Sequence, residues 1–220
     1  MLLSVFYKEW LKTRWFVILY TAMGIVAIGY IFMALKHSFN FSGTRNIWST
    51  ILFQGNQFYK IFKFIPLAGG IIVAVAQYLP EANDKRIKLT FHLPLGENKA
   101  LLVMQAFGAL SLLVAFFVFL GLIYFLGLIY FPVQMVWDIV LTVLPWSVAG
   151  LSAYSIVSFI ILEPRWPFRF LYSIVGGLFL SFHFVHAGTA CYGPASSGLF
   201  LMSLLLITAP LSSGYRFRKG

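Results

Sequence analysis

The run Leu101–Phe131 admits few folds, because it is apolar almost from end to end and Gln105 is its chief polar residue. In hydrocarbon, every N–H and C=O of such a segment must be bonded internally, which leaves only a helix or a closed barrel. A membrane barrel strand alternates apolar and polar residues with a period of two. This run is continuous, so it reads as a helix. It is too short for two spans and too long for one upright crossing, so it must tilt or protrude. Comparable runs lie at Trp15–Leu35, Phe58–Leu79, Ile139–Leu162, Phe168–Val185 and Gly198–Leu211. The chain is 60% hydrophobic and 10% charged, with a mean hydropathy of +0.88, more apolar surface than a soluble domain can bury. The expected architecture is an all-α polytopic membrane bundle of six transmembrane helices, one domain over residues 1–220.

The punctuation between these runs is consistent with that reading. Arg14 and Lys36 collar the first span. Lys36–Gln57 is a polar connection that contains a short apolar piece, Ile47–Phe53. Pro66 and Gly69-Gly70 fall inside the second span, where neighbouring helices can satisfy the freed backbone groups. Lys60 and Lys63 at its outer end can snorkel to the surface. Pro132–Asp138 reads as an outer turn, and Glu163-Pro164-Arg165-Trp166-Pro167 ends the fourth span. His186–Ser197 is a small-residue loop, and Tyr215-Arg216-Phe217-Arg218-Lys219 forms a basic tail.

The net charge of +10 resembles a nucleic-acid signature only until its location is read. Twelve basic residues gather on one side: Lys8, Lys12, Arg14, Lys85, Arg86, Lys88, Lys99, Arg165, Arg169, Arg216, Arg218 and Lys219. Four lie on the other: Lys36, Arg45, Lys60 and Lys63. Basic residues favour the cytoplasmic side, so both termini are expected there, in the cell (inner) membrane. No nucleic-acid partner is expected.

Two polar segments stand out. The first fourteen residues lack the early charge and small-residue cleavage site of a signal peptide. On a helix, Leu3, Phe6, Tyr7, Trp10 and Leu11 share one side, and Ser4, Lys8, Glu9 and Lys12 take the other. That pattern predicts an amphipathic elbow helix in the membrane interface. The bland alternative makes it the front of the first span. The second segment is Leu79–Ala100. Glu81 precedes Lys85 by four residues and Asp84 precedes Lys88 by four, pairs that support a helix by about 0.3–0.5 kcal/mol each. Pro80 suits a first turn, and Leu93-Pro94 stops the helix. The result is either a solvated connector or a docking element for a soluble partner.

Little catalytic chemistry is expected. The acids Glu9, Glu81, Asp84, Glu97, Asp138 and Glu163 all fall at predicted ends or loops, whereas ion-coupled carriers place carboxylates at mid-span. His183 and His186 are one turn apart without a matching ligand pair, so a packing role is expected and no metal. The single Cys191 excludes an internal disulfide. No nucleophile motif is present, and no Gly-x-x-x-x-Gly-Lys-Ser/Thr phosphate loop, so the chain is not expected to be an enzyme or to hydrolyse ATP itself.

In order, the segment Tyr7-Lys8-Glu9-Trp10-Leu11-Lys12-Thr13-Arg14 opens into the first span, and an acid-led loop after span two runs through Arg86 and Lys88 to Leu93-Pro94. Six spans complete the chain. This arrangement resembles the permease subunit of an ABC-2 type transporter. The resemblance implies an elbow helix at Lys8, Glu9, Trp10, Lys12 and Arg14. It also implies a cytoplasmic coupling helix within residues 79–100, with Glu81, Asp84, Lys85, Arg86 and Lys88 contacting a separate ABC ATPase subunit. It further implies export, a second permease copy or a homologous partner, and surrounding lipid. ATP and Mg would sit on the ATPase, with no cofactor in this chain. Many relatives carry Gly-Thr after the acidic start of the loop; this chain has Asn83-Asp84-Lys85-Arg86. The alternative is a non-transporting membrane anchor or regulatory subunit of a larger complex.

Overall fold

The computed structural model describes residues 2–43, 48, 50–51, 57–83, 97–185, 190 and 192–219, without the side chains of 2, 42, 97, 193–194, 214–215 and 217–219. The expected coupling segment at Asp84, Lys85, Arg86 and Lys88 lies outside these residues, as does most of Ile47–Phe53. The described residues form helices α1 (Leu2–Ser42), α2 (Ile65–Asn83), α3 (Glu97–Tyr130), α4 (Val133–Leu162), α5 (Trp166–Ser181), α6 (Gly193–Leu206) and α7 (Ala209–Lys219). Short 3-10 turns, Lys60–Phe64 and Phe182–Phe184, precede α2 and follow α5. No strand occurs among the described residues.

Five helical stretches are long and apolar enough to cross a membrane: Leu3–Phe41, Lys60–Asn83, Asn98–Tyr130, Val133–Leu162 and Ala195–Ser213. The protein is therefore an all-helical, multi-pass membrane bundle. The fifth expected crossing is shorter. At 16 residues, α5 is about 24 Å long, less than the ~30 Å hydrocarbon core, and only its 3-10 turn extends it.

Several boundaries move for identifiable reasons. Residues 2–14 do not form a separate elbow: α1 runs unbroken for 41 residues, because nothing in Thr13-Arg14-Trp15 interrupts a helix. It ends instead at Gly43, whose φ of +73° is the left-handed conformation that closes helices. Val133–Asp138 is not an outer turn. Pro132, extended at φ −64° and ψ 154°, caps α4 directly, so the chain reverses over Phe131 and Pro132. The long apolar run is one 34-residue helix, α3, roughly 51 Å long, so it does exceed an upright crossing.

At the centre lies α4, with 83% of its most apolar window buried, against 28% for α1 and 11% for the α6–α7 stretch. Its partner α2 runs parallel to it and very close. A Cβ on Gly70 would run into the Gly150 carbonyl, and one on Gly150 into the Pro66 carbonyl. Small residues let helix backbones approach in lipid, where apolar burial gives helices no preference for each other. Antiparallel to α2, α1 runs beside α3: Phe6 meets Phe107, Tyr20 meets Phe119, and Phe39 stacks on Tyr130. A buried polar network pins α2, α3 and α4. Gln77 donates to the Met104 carbonyl (2.7 Å), Tyr78 donates to Gln105 Oε1 (2.6 Å), and Tyr154 donates to Gln77 Oε1 (2.7 Å).

Candidate functional site

The end of the bundle where α2 leaves toward the polar loop holds an ion cluster. Glu81, in the last turn of α2, is 2% exposed, and Glu9 on α1 is fully buried. Lys8 Nζ lies 2.9 Å from Glu81 Oε1, and Lys12 Nζ lies 3.2 Å from the same oxygen. Lys12 also reaches Glu9 Oε2 at 2.9 Å. Lys12 therefore bridges two buried carboxylates, one on each helix. Lys8 and Lys12 are four residues apart and share a face of α1. A cleft of about 500 Å³ lined by Ser4, Tyr7, Leu11, Pro80 and the charged groups opens beside them.

The sequence placed both acids at predicted ends or loops. Glu9 lies near the start of α1 with the local partner Lys12. Helix α2 runs on through Pro80, so Glu81 ends α2 rather than opening a new helix, and its partners are not local. The spacing offered Lys85 to Glu81; the structure brings in Lys8 and Lys12 from a helix some seventy positions earlier. The site residues of the opening segment and the loop root thus form one unit. The helix face also differs from what a soluble pattern suggests. Val5, Glu9 and Thr13 face the bundle, whereas Leu3, Tyr7, Trp10 and Leu11 are exposed. An apolar stripe turned outward suits lipid, and the polar face then finds partners inside. Among the remaining opening residues, the Arg14 guanidinium sits over the Trp15 ring at 5.5 Å.

A third buried acid lies near the C-terminal helix α7. Glu163, just after α4, accepts from Ser213 Oγ (2.9 Å) and lies 3.5 Å from Arg216. Arg216 also donates to the Tyr172 hydroxyl at 3.0 Å. Arg216 therefore closes α7 onto the α4–α5 corner.

Among the described residues, no group of three or more His, Cys, Asp and Glu side chains is arranged to hold a metal. His183 is fully buried at the α5 end, and the Phe179 ring packs edge-on against it. His186 lies outside the described residues. The chemistry of the loop-root site is mechanical: it fixes one helix to another by charge at the point where a polar segment begins. No protein-family model, no curated protein and no solved structure matches this chain.

Proposed function

We propose that this chain is the membrane-spanning permease subunit of an ATP-binding cassette transporter, working as an exporter with a separate ATPase that carries ATP and Mg. The observation that supports this most is the bracing of the loop root. The last turn of α2 is tied through Glu81 to Lys8 and Lys12 of α1, so a load applied at residues 84–96 enters two long helices at once. A slack connector needs no such bracing. In this reading Asp84, Lys85, Arg86 and Lys88 form the surface that meets the ATPase, and Glu81 anchors that surface to α1. The front of α1 takes the place of an elbow helix. Counting α5 with its 3-10 turn as a short sixth crossing puts both termini and the 79–100 loop on the cytoplasmic side of the cell membrane. Two ATPase subunits close on two nucleotides, so the working unit holds a second permease copy or a homologous one.

The test is the double change Lys85→Glu and Arg86→Glu. Like-charge juxtaposition at a close interface costs several kcal/mol, whereas in a solvated loop the same change stays within about 0.5 kcal/mol of neutral. Normal insertion with loss of ATPase association or of transport-linked hydrolysis is expected. A variant that retains its ATPase and wild-type activity would refute the coupling role. A wild-type chain that extracts as a lone monomer without any ATPase would refute the assignment. Association without transport describes a membrane anchor instead.

A further inference from the structure

We infer that the corner between α4, α5 and α7 is a binding site for an anionic diacyl phospholipid, with a headgroup seat and an acyl crevice that meet at Tyr172. The seat is built from Arg165, Arg169 and Arg216. Arg165 is exposed, with its guanidinium over the Phe168 ring. Arg169 lies over the Trp166 ring at 5.6 Å and donates to the Glu163 and Ile161 carbonyls, which fixes it in place. Arg216 sits above Phe168 and Tyr172. The only carboxylate paired with these three guanidinium groups among the described residues is Glu163, so two positive charges remain in surplus. Trp166 is 77% exposed beside them, in the position of an interfacial aromatic anchor.

The crevice starts where the seat ends. The Tyr172 hydroxyl oxygen accepts from Arg216, while its ring packs on Phe159 at 4.3 Å and lines an apolar cleft of about 180 Å³. Ile156, Val175, Gly176 and Leu206 are among its other walls. It runs along α5 toward the bilayer interior. Val175, one of these walls, is 56% exposed, so the crevice opens outward on the apolar surface of α5. A phosphate over the arginines therefore places its chains alongside apolar walls, which a soluble anion cannot exploit. Basic pockets between membrane helices at the headgroup level select anionic lipids in this way. Surplus positive charge selects against a zwitterionic headgroup.

The test uses the full chain in mixed micelles that supply phosphatidylglycerol and phosphatidylcholine equally, with retained lipid read by native mass spectrometry. Wild type is expected to retain phosphatidylglycerol several-fold over phosphatidylcholine. Arg165→Gln, which breaks no hydrogen bond among the described residues, should lower that preference about fivefold, the usual worth of one basic residue at a membrane surface. Val175→Trp fills the crevice and should lower retention of phosphatidylglycerol while leaving the chain monodisperse. Lys60→Gln, at the opposite end, should match wild type. Equal retention of the two lipids by wild type overturns the site, as does wild-type behaviour of either the Arg165 or the Val175 variant. Displacement of the lipid by millimolar glycerol 3-phosphate would show a phosphate seat without a chain crevice, and would overturn it too.

Discussion

Lys12→Met removes the one cation that serves both buried acids at the loop root, and its cost follows from what each acid keeps. Glu81 retains Lys8 at 2.9 Å, so its loss is partial. Glu9 is fully buried, and Lys12 is its only ion-pair partner among the described residues. Breaking a buried pair from one side leaves an uncompensated charge, worth about 3–5 kcal/mol. Lys8→Met is the comparison. Its side chain is 47% exposed and Glu81 keeps Lys12, so solvent screening holds the loss to about 0–1 kcal/mol. Adding Glu9→Gln to Lys12→Met should restore most of the stability, because an amide there carries no charge. Equilibrium unfolding in mixed detergent micelles compares five proteins, wild type, Lys8→Met, Lys12→Met, Glu9→Gln and the double variant, and the double-mutant cycle isolates the Glu9–Lys12 term. If Lys12→Met is no less stable than Lys8→Met, or if Glu9→Gln brings no recovery, the cluster is a surface arrangement and the bracing argument fails.

Gly70→Leu should open the α2–α4 crossing at the Gly150 carbonyl and destabilise by about 1–3 kcal/mol or more; Gly29→Ala, where a Cβ meets nothing within 4 Å, should be tolerated in the same unfolding assay. Arg216→Met should leave buried Glu163 with Ser213 alone and cost about 3 kcal/mol, recovered largely by adding Glu163→Gln. In a Cys191→Ser background, cysteines at Ser42 and Gly193 should label from outside, and those at Asn83 and Gly214 only from the cytoplasm; cytoplasmic labelling at Gly193 would break the six-crossing reading.

The helices were legible because a bilayer enforces them: Leu101–Phe131 has no other way to satisfy its backbone. Their ends were less so. Polar Lys36, His37 and Ser38 suggested a stop, yet a helix continues past the membrane until something closes it, and here Gly43 does. Ser42-Gly43 was the readable signal. Pro132 likewise signalled the start of α4 more directly than the polar content of the residues after it. The candidate site was half legible. Glu81, Lys8, Glu9 and Lys12 stand out in the sequence, and the Glu9–Lys12 pair is within a turn, but spacing offers only such neighbours and the partners of Glu81 lie across a helix pair. Glu9 was assigned to a solvated face because that assignment borrows from proteins in water. The network of Gln77, Tyr78, Gln105 and Tyr154 left only Gln105 as a trace, since tyrosine and glutamine at helix seams look unremarkable in a sequence.

The polar side chains of this bundle are not scattered, and their placement determines what moves with what. Lipid tails are as apolar as the helices, so hydrophobicity alone gives no helix a preferred neighbour. Specific seams must come from close packing and from buried polar pairs. Helix α2 belongs to most of them. It is tied to α1 by Lys8, Lys12 and Glu81, to α3 by Gln77 and Tyr78, and to α4 by Tyr154 and the Gly70–Gly150 contact. A displacement at Asn83 therefore enters α1, α2, α3 and α4 together, because sliding any one of them breaks a buried ion pair or hydrogen bond. The seam to α5 and α7 is different: its buried charge pairing is concentrated at Glu163 and Arg216, and apolar crevices flank the helices above it.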